Sequence, residues 1–181
     1  MEYISGISLG MAWASLTEAN KHSIIGQLRY IIEQMRALPS LGFYGSVNRG
    51  PVPHRYFFSR EKDPAITGAV FRRKKNSEKP SHFALRLSLR GHPPIFTHGD
   101  LYRENGLVRK GGNSVTNEEE YEVAALVDWE AAGWYPSYWE YAHTFPVLQW
   151  IDDWPAYIEK ILDPFPLEGA MMRVVFSDLE F

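Results

Sequence analysis

Apolar residues recur at helical spacing between residues 24 and 38, and charged residues fall between them. This period predicts a long, half-buried helix. Ser15 and Glu18 have the spacing of a capping box, so we expect the helix to begin there and to end at Pro39. The apolar stripe consists of Ile24, Ile25, Leu28, Ile31, Ile32, Met35 and Leu38. The charged residues that lie off the stripe are Lys21, Arg29, Glu33 and Arg36.

The rest of the chain alternates loops with short elements. Glycines, prolines and aromatic residues predict a loop over 39–63, and the apolar pattern of 81–90 favours a short helix over a strand. Two apolar runs, Leu107–Val108 and Val123–Val127, predict a β-hairpin whose tip is the polar segment 110–120. Further helices are predicted from Ser137 onward and over 154–162.

An aromatic group follows the hairpin, and we expect it to form core packing rather than to line a ligand pocket. Its members are Trp134, Tyr135, Tyr138, Trp139 and Tyr141. Three nearby acidic residues, Glu140, Asp152 and Asp153, either attract a cationic ligand or lie at a solvated surface. The sequence leaves both interpretations open.

Composition narrows the classes of protein. The 181 residues contain no cysteine, which excludes disulfides, thiolate zinc sites and a cysteine nucleophile. No apolar run reaches the roughly 18 residues of a membrane span, and the N-terminus lacks a basic signal-peptide region, so we expect a soluble, cytoplasmic protein of one domain. The basic run at 72–75 is interpreted as a solvated linker, because the net charge is −3; nucleic acid is not an expected partner.

The residues that suggest chemistry flank the predicted hairpin. His98, Gly99 and Asp100 are followed by Asn105, and Asp128 comes directly after the second apolar run. This is the order of the catalytic loop and the metal-binding Asp in kinase-type phosphotransferases. The hairpin would bring Asn105 and Asp128 together, because one residue precedes its first strand and the other follows its second.

These motifs resemble the C-terminal lobe of the aminoglycoside phosphotransferase and choline kinase-like family, particularly its fungal members. The resemblance is clearest over residues 96–145. It implies an α+β fold of the protein kinase-like type, mostly helical with a small β-hairpin that carries the catalytic loop. It also implies that residues 1–181 form a single domain made of a hinge and a C-terminal lobe. The opening residues Met1, Glu2, Tyr3 and Ile4 are similar to the family's hinge, where backbone groups meet adenine.

The same resemblance implies a role for each motif residue. Asp100 would act as the base toward an acceptor hydroxyl, and His98 belongs to the same catalytic loop, more as a brace than as an acid. Asn105 and Asp128 would hold Mg²⁺ on the phosphates of ATP. Glu130 could reach the water shell of the metal or cap a local amide. The acceptor would be a small molecule.

The sequence has no strand-borne lysine and no glycine-rich loop for the nucleotide phosphates, so we expect the N-terminal lobe to be missing. Phosphate binding would then depend on Mg²⁺, and the uncovered face would suit a homodimer or a partner. Three functions therefore stay open. The chain is a phosphotransferase, or it performs nucleotide-independent acid/base chemistry, such as elimination or cyclisation, or it is a non-catalytic binding module.

Overall fold

The computed structural model describes residues 4–40, 42–50, 91–111, 120–144 and 152–179, which form an α+β structure. The helices are α1 (Leu9–Ala12), α2 (Glu18–Arg36), α3 (Trp139–Thr144), α4 (Pro155–Ile161) and α5 (Pro166–Leu179). The strands are β1 (Ile7–Ser8), β2 (Gly45–Ser46), β3 (Pro94–Thr97), β4 (Gly106–Gly111), β5 (Glu120–Leu126) and β6 (Gly133–Pro136). Short 3₁₀ turns follow α1, β3 and β5, at Trp13–Ser15, Arg103–Asn105 and Trp129–Ala131.

The first antiparallel sheet has the order β1-β4-β5 and contains the predicted hairpin, which is confirmed. Helix α2 packs on its edge strand β5 through Gln27. The Gln27 amide donates to the Tyr121 carbonyl at 3.1 Å and accepts from the Val123 amide at 2.8 Å. One side chain thus satisfies backbone groups that an edge strand would otherwise leave unpaired.

The second antiparallel sheet has the order β2-β6-β3 and positions the loop that carries the motif. Thr97, the last residue of β3, pairs with Gly133, the first residue of β6. The loop after β3 therefore lies beside the segment that leads into β6. A side chain at Gly133 would lie 2.6 Å from the Gly45 carbonyl oxygen, so the close approach of β2 requires glycine there.

Helix α2 is confirmed as a half-buried helix, but its predicted start at Ser15 is wrong. Thr17 is the N-cap, and its hydroxyl accepts from the Asn20 amide at 3.2 Å. Ser15 instead donates to the Ala12 carbonyl at 2.7 Å within the preceding 3₁₀ turn. The stripe is buried at Ile24, Ile25, Leu28, Ile32 and Met35, whereas Leu38 lies beyond the helix end and is exposed.

The position of Lys21 off the apolar stripe does not leave it in solvent. It is 9% exposed and ion-pairs with Asp153 at 2.6 Å and with Glu18 at 3.2 Å. Asp153 also accepts from the Trp13 indole at 2.7 Å. These contacts connect the start of α2 to the segment before α4, and they raise the pKa of Lys21, chiefly through the hydrogen bond to Asp153.

The remaining predictions have mixed outcomes. The helix over 154–162 is confirmed as α4, and the helix from Ser137 begins two residues later, at Trp139. The aromatic group of 134–141 is buried core, as expected. Neither β6 nor α5 is among the predicted elements. The predicted helix over 81–90, the basic run, most of the 39–63 loop and the hairpin tip at 112–119 lie outside the described residues.

The helices of the described residues include none with both the length and the apolar character needed to cross a membrane.

Candidate active site

The loop between β3 and β4 makes a tight turn at Gly99. Its φ is +84°, in the left-handed region, and a Cβ there would lie 2.5 Å from the Ala131 carbonyl oxygen. Both conditions favour glycine, because any other residue would be strained and would clash with backbone. The backbone of this loop therefore packs closely on the 3₁₀ turn that follows Asp128.

A buried carboxylate, Glu140 of α3, accepts hydrogen bonds from the backbone of this loop. It accepts from the His98 amide at 2.8 Å and from the Gly99 amide at 3.1 Å. Burial raises the pKa of Glu140 to about 7, although the amide bonds and the nearby Arg36 oppose the rise. The interpretation of Glu140 as a surface or ligand-attracting acid is therefore wrong, because the side chain is fully enclosed by the core.

A sequence signal for this role existed. Glu140 is the one acid among Tyr138, Trp139, Tyr141 and Ala142, and an acid that an apolar run carries into the core needs hydrogen-bond partners there.

Both ring nitrogens of His98 contact backbone groups. Nε2 lies 3.0 Å from the Val127 carbonyl, and Nδ1 accepts from the Asp100 amide at 3.3 Å. Burial lowers the pKa of His98 below its ordinary value, which favours the neutral ring that this pair of bonds needs. His98 thus fixes the loop between β3 and β4 to the end of the hairpin, and its geometry is that of a positioning residue.

Asp100 and Asn105 are joined directly. The Asn105 side-chain amide donates to the Asp100 carbonyl at 2.9 Å and to its Oδ2 at 3.1 Å. The Asn105 carbonyl accepts from the Val127 amide at 2.9 Å, which places Asn105 beside the residue before Asp128. The hairpin brings the three motif segments together, as the sequence predicts.

Asp128 adopts an unusual backbone conformation. Its φ of 64° and ψ of 58° lie in the left-handed region, which a non-glycine residue adopts at a cost of about 1–3 kcal/mol. The side chain is exposed and makes no capping hydrogen bond to the 3₁₀ turn that follows it. Such backbone strain concentrates at ligand-binding positions. In Asp128 it occurs together with a carboxylate that makes no capping hydrogen bond.

The donor set fits a hard cation such as Mg²⁺. The Asn105 Oδ1 and the Asp128 carboxylate have no hydrogen-bond partner within the described part of the chain, so both oxygens are free to coordinate. No group of three or more His, Asp or Glu side chains that could hold a metal occurs among the described residues. This is compatible with Mg²⁺, which typically takes one or two protein carboxylates and completes its shell with substrate phosphates and water.

Other residues singled out from the sequence lie elsewhere. Met1, Glu2 and Tyr3 fall outside the described residues, and Ile4 is 39% exposed just before β1. Asp152 accepts from Arg103 at 2.5 Å and so ties the 3₁₀ turn of the loop to the start of α4. Glu130 is exposed in the turn after Asp128.

Comparison of the chain with models of known protein families, with curated proteins and with solved structures finds no match.

Proposed function

We propose that this chain is a phosphotransferase-like protein of the kinase-like fold, which uses Mg²⁺ and ATP to phosphorylate a hydroxyl group of a small molecule. One observation carries the proposal. Asp100 and Asn105 are hydrogen-bonded to each other, and the backbone of Asn105 holds the segment that ends in the free carboxylate of Asp128. These are the residue types and the order of parts that phosphoryl transfer uses.

Asp100 is suited to be the base. Its Oδ2 is fixed by Asn105, which leaves Oδ1 for the acceptor hydroxyl, and the residue is partly exposed. In the proposed step the hydroxyl oxygen bonds to the γ-phosphorus while the bond from that phosphorus to the bridging oxygen of ADP breaks. The hydroxyl proton passes to Asp100, and ADP leaves.

Asn105 and Asp128 are the proposed metal ligands. Mg²⁺ bound there would neutralise the charge that develops on the transferring phosphoryl group. The protein's own contribution is to hold Asp100 and Asn105 rigidly on the loop between β3 and β4 and to join that loop to the segment that ends in Asp128. Glu140 and His98 supply that rigidity, because they satisfy the loop's amides and fix it to the hairpin.

Calorimetric titration with ATP in the presence of Mg²⁺ tests the binding half of the proposal. We expect saturable binding that disappears when Mg²⁺ is chelated and weakens at least about tenfold in Asp128→Asn, a loss of about 1.4 kcal/mol. Asparagine tolerates the left-handed backbone, so this variant removes charge without adding strain. The matched control is Asp163→Asn, an exposed aspartate that pairs with Arg29 rather than with a motif residue, and it should bind as the wild type does.

A second candidate function is nucleotide-independent acid/base chemistry on a small molecule. It is favoured by the absence, among the described residues, of any lysine or arginine hydrogen-bonded or ion-paired with Asp100, Asn105 or Asp128. A carboxylate such as Asp100 can move protons without a nucleotide. Failure of ATP to bind, with the fold intact, would select this candidate or the non-catalytic binding module over the phosphotransferase.

Two further expectations, on the location of the protein and on a partner at its uncovered face, belong to the same proposal. We propose that the protein acts in the cytoplasm. The uncovered face at β1 and α1 exposes Ile7 and Met11, and a homodimer or a partner that covers it stays a prediction.

A further inference from the structure

An open pocket is lined in part by Trp129, the residue that follows Asp128. Residues of the turn 46–50 form one wall, and Trp129, Glu130 and Ala132 form the other. Its volume of about 560 Å³ lies within the range of small-molecule sites. Asn105 and Asp128, the proposed metal ligands, are not among its lining residues, so it is distinct from the proposed metal site.

The Trp129 wall is a rigid aromatic platform. The indole nitrogen donates to the Leu126 carbonyl at 2.8 Å, and the ring stacks on Phe96 with centroids 6.4 Å apart and planes 13° apart. Its centroid lies 4.6 Å from that of the His98 ring. Despite these contacts Trp129 stays 41% exposed. A fixed, exposed indole offers a flat apolar surface at little entropic cost to a ligand.

The opposite wall is also held in place. The Asn48 Oδ1 accepts from the Ser46 hydroxyl at 2.6 Å and from the Gly50 amide at 3.1 Å. The Asn48 amide nitrogen then remains available as a donor, since the described residues give it no acceptor. The neighbouring Val47 is 62% exposed and adds apolar surface. The pairing of β2 with β6 anchors this turn to the sheet that carries the catalytic loop.

We propose that this pocket binds the acceptor, and that the acceptor is an uncharged aryl alcohol or phenol whose ring lies on Trp129. The inference rests on the proposed phosphotransferase function and names its substrate class. The apolar surfaces of Trp129 and Val47 suit an aromatic ring, and the Asn48 amide suits a polar substituent on it. The carboxylate of Glu130 repels anions and accepts a hydrogen bond from a hydroxyl.

A chain of contacts connects the pocket to the loop that carries Asp100. Trp129 follows Asp128 in the chain, and its ring contacts His98, whose Nδ1 accepts from the Asp100 amide. A ligand on the indole would therefore lie at the edge of the catalytic loop.

Saturation-transfer NMR on the full chain, without nucleotide, tests the pocket with three probes: 4-hydroxyphenylethanol, indole-3-ethanol and the saturated analogue 2-cyclohexylethanol. We expect saturable binding of at least one aromatic probe with a dissociation constant near or below about 1 mM, and weaker binding of the saturated one. Trp129→Leu should weaken aromatic binding at least about tenfold. Tyr30→Leu, at an aromatic residue of α2 that is 62% exposed, is the matched control and should change nothing.

A second variant keeps the test valid if Trp129→Leu fails to fold. Val47→Asp changes only an exposed side chain and places a charge against the ring, so it too should weaken binding. Saturable binding of neither aromatic probe, or binding that both pocket variants leave unchanged, would overturn the proposal. The titration with Mg²⁺ and ATP separates the two failures. Nucleotide binding without aromatic binding refutes the acceptor pocket alone, whereas aromatic binding without nucleotide binding refutes the phosphotransferase function and leaves a ligand pocket.

Discussion

Replacement of Glu140 tests how the loop between β3 and β4 is held in place. The carboxylate is fully buried and accepts from the His98 and Gly99 amides. Glu140→Ala leaves both amides without an acceptor in the core. Each unsatisfied group costs about 1–3 kcal/mol, so the variant should lose about 4 kcal/mol in the free energy of unfolding. Glu140→Gln keeps the side-chain volume but exchanges one acceptor oxygen for an NH2 group; because it cannot ionise, the pH dependence of its difference from the wild type reports the ionisation of Glu140.

The pH dependence follows from the pKa of Glu140, which burial raises from 4.5 to about 7. A carboxyl group whose pKa is higher in the folded state binds its proton more tightly there, so its ionisation destabilises the fold. The contribution of Glu140 to stability is therefore fully present below about pH 4.5 and is lost as the pH rises through about 7. Between about pH 5 and pH 8, the linkage relation gives a loss of roughly 2.5 kcal/mol that Glu140→Gln does not share.

Urea unfolding followed by circular dichroism measures both effects at a series of pH values. The free energy of unfolding of the wild type minus that of Glu140→Gln should fall by roughly 2.5 kcal/mol from about pH 5 to pH 8. Glu33→Gln, at an exposed glutamate paired with Arg29, is the control and should show a small difference. A difference between wild type and Glu140→Gln that is constant or rises with pH would show that burial does not raise the pKa of Glu140, because the amide bonds would then outweigh burial.

Three further predictions concern Gly99, the ion pair of Lys21 and Asp128. Gly99→Ala should lose at least about 2 kcal/mol in urea unfolding, because its methyl group meets the Ala131 carbonyl in a left-handed turn. Lys21→Met should lower the unfolding temperature, because it strips Asp153 of the ammonium partner that holds α2 to the segment before α4; a variant as stable as the wild type would show that the pair contributes nothing. Asp128→Asn should keep the wild-type unfolding temperature while it loses Mg²⁺-dependent ATP binding, and a large loss of stability would instead assign Asp128 a structural role.

The elements that the sequence predicted correctly are those with a periodic or paired apolar pattern. The stripe from Ile24 to Met35 predicts α2, and the paired apolar runs predict the hairpin, because one buried face fixes each pattern. The hairpin in turn explains why Asn105 and the segment before Asp128 come together. This is the part of the candidate site that sequence order and strand pairing determine.

The features that the sequence did not predict depend on contacts between residues distant in the chain. Ser15 and Thr17 are both suitable N-caps, and only the 3₁₀ turn before α2, which takes the Ser15 hydroxyl, assigns the role to Thr17. Lys21 and Glu140 are charged residues that the core buries, because partners distant in sequence satisfy them. Strand β6 has no alternation to mark it, since all four of its residues are buried.

The most direct test of the central claim is phosphoryl transfer itself, followed by ³¹P NMR with Mg²⁺, ATP and 4-hydroxyphenylethanol. We expect ADP to form together with a phosphate monoester or, with water as the acceptor, inorganic phosphate. Asp100→Asn should slow ADP formation by about 10²–10⁴-fold, and Asp163→Asn should leave it unchanged. No ADP from the wild type, or the same rate from Asp100→Asn, would contradict the assignment of Asp100, Asn105 and Asp128 to phosphoryl transfer.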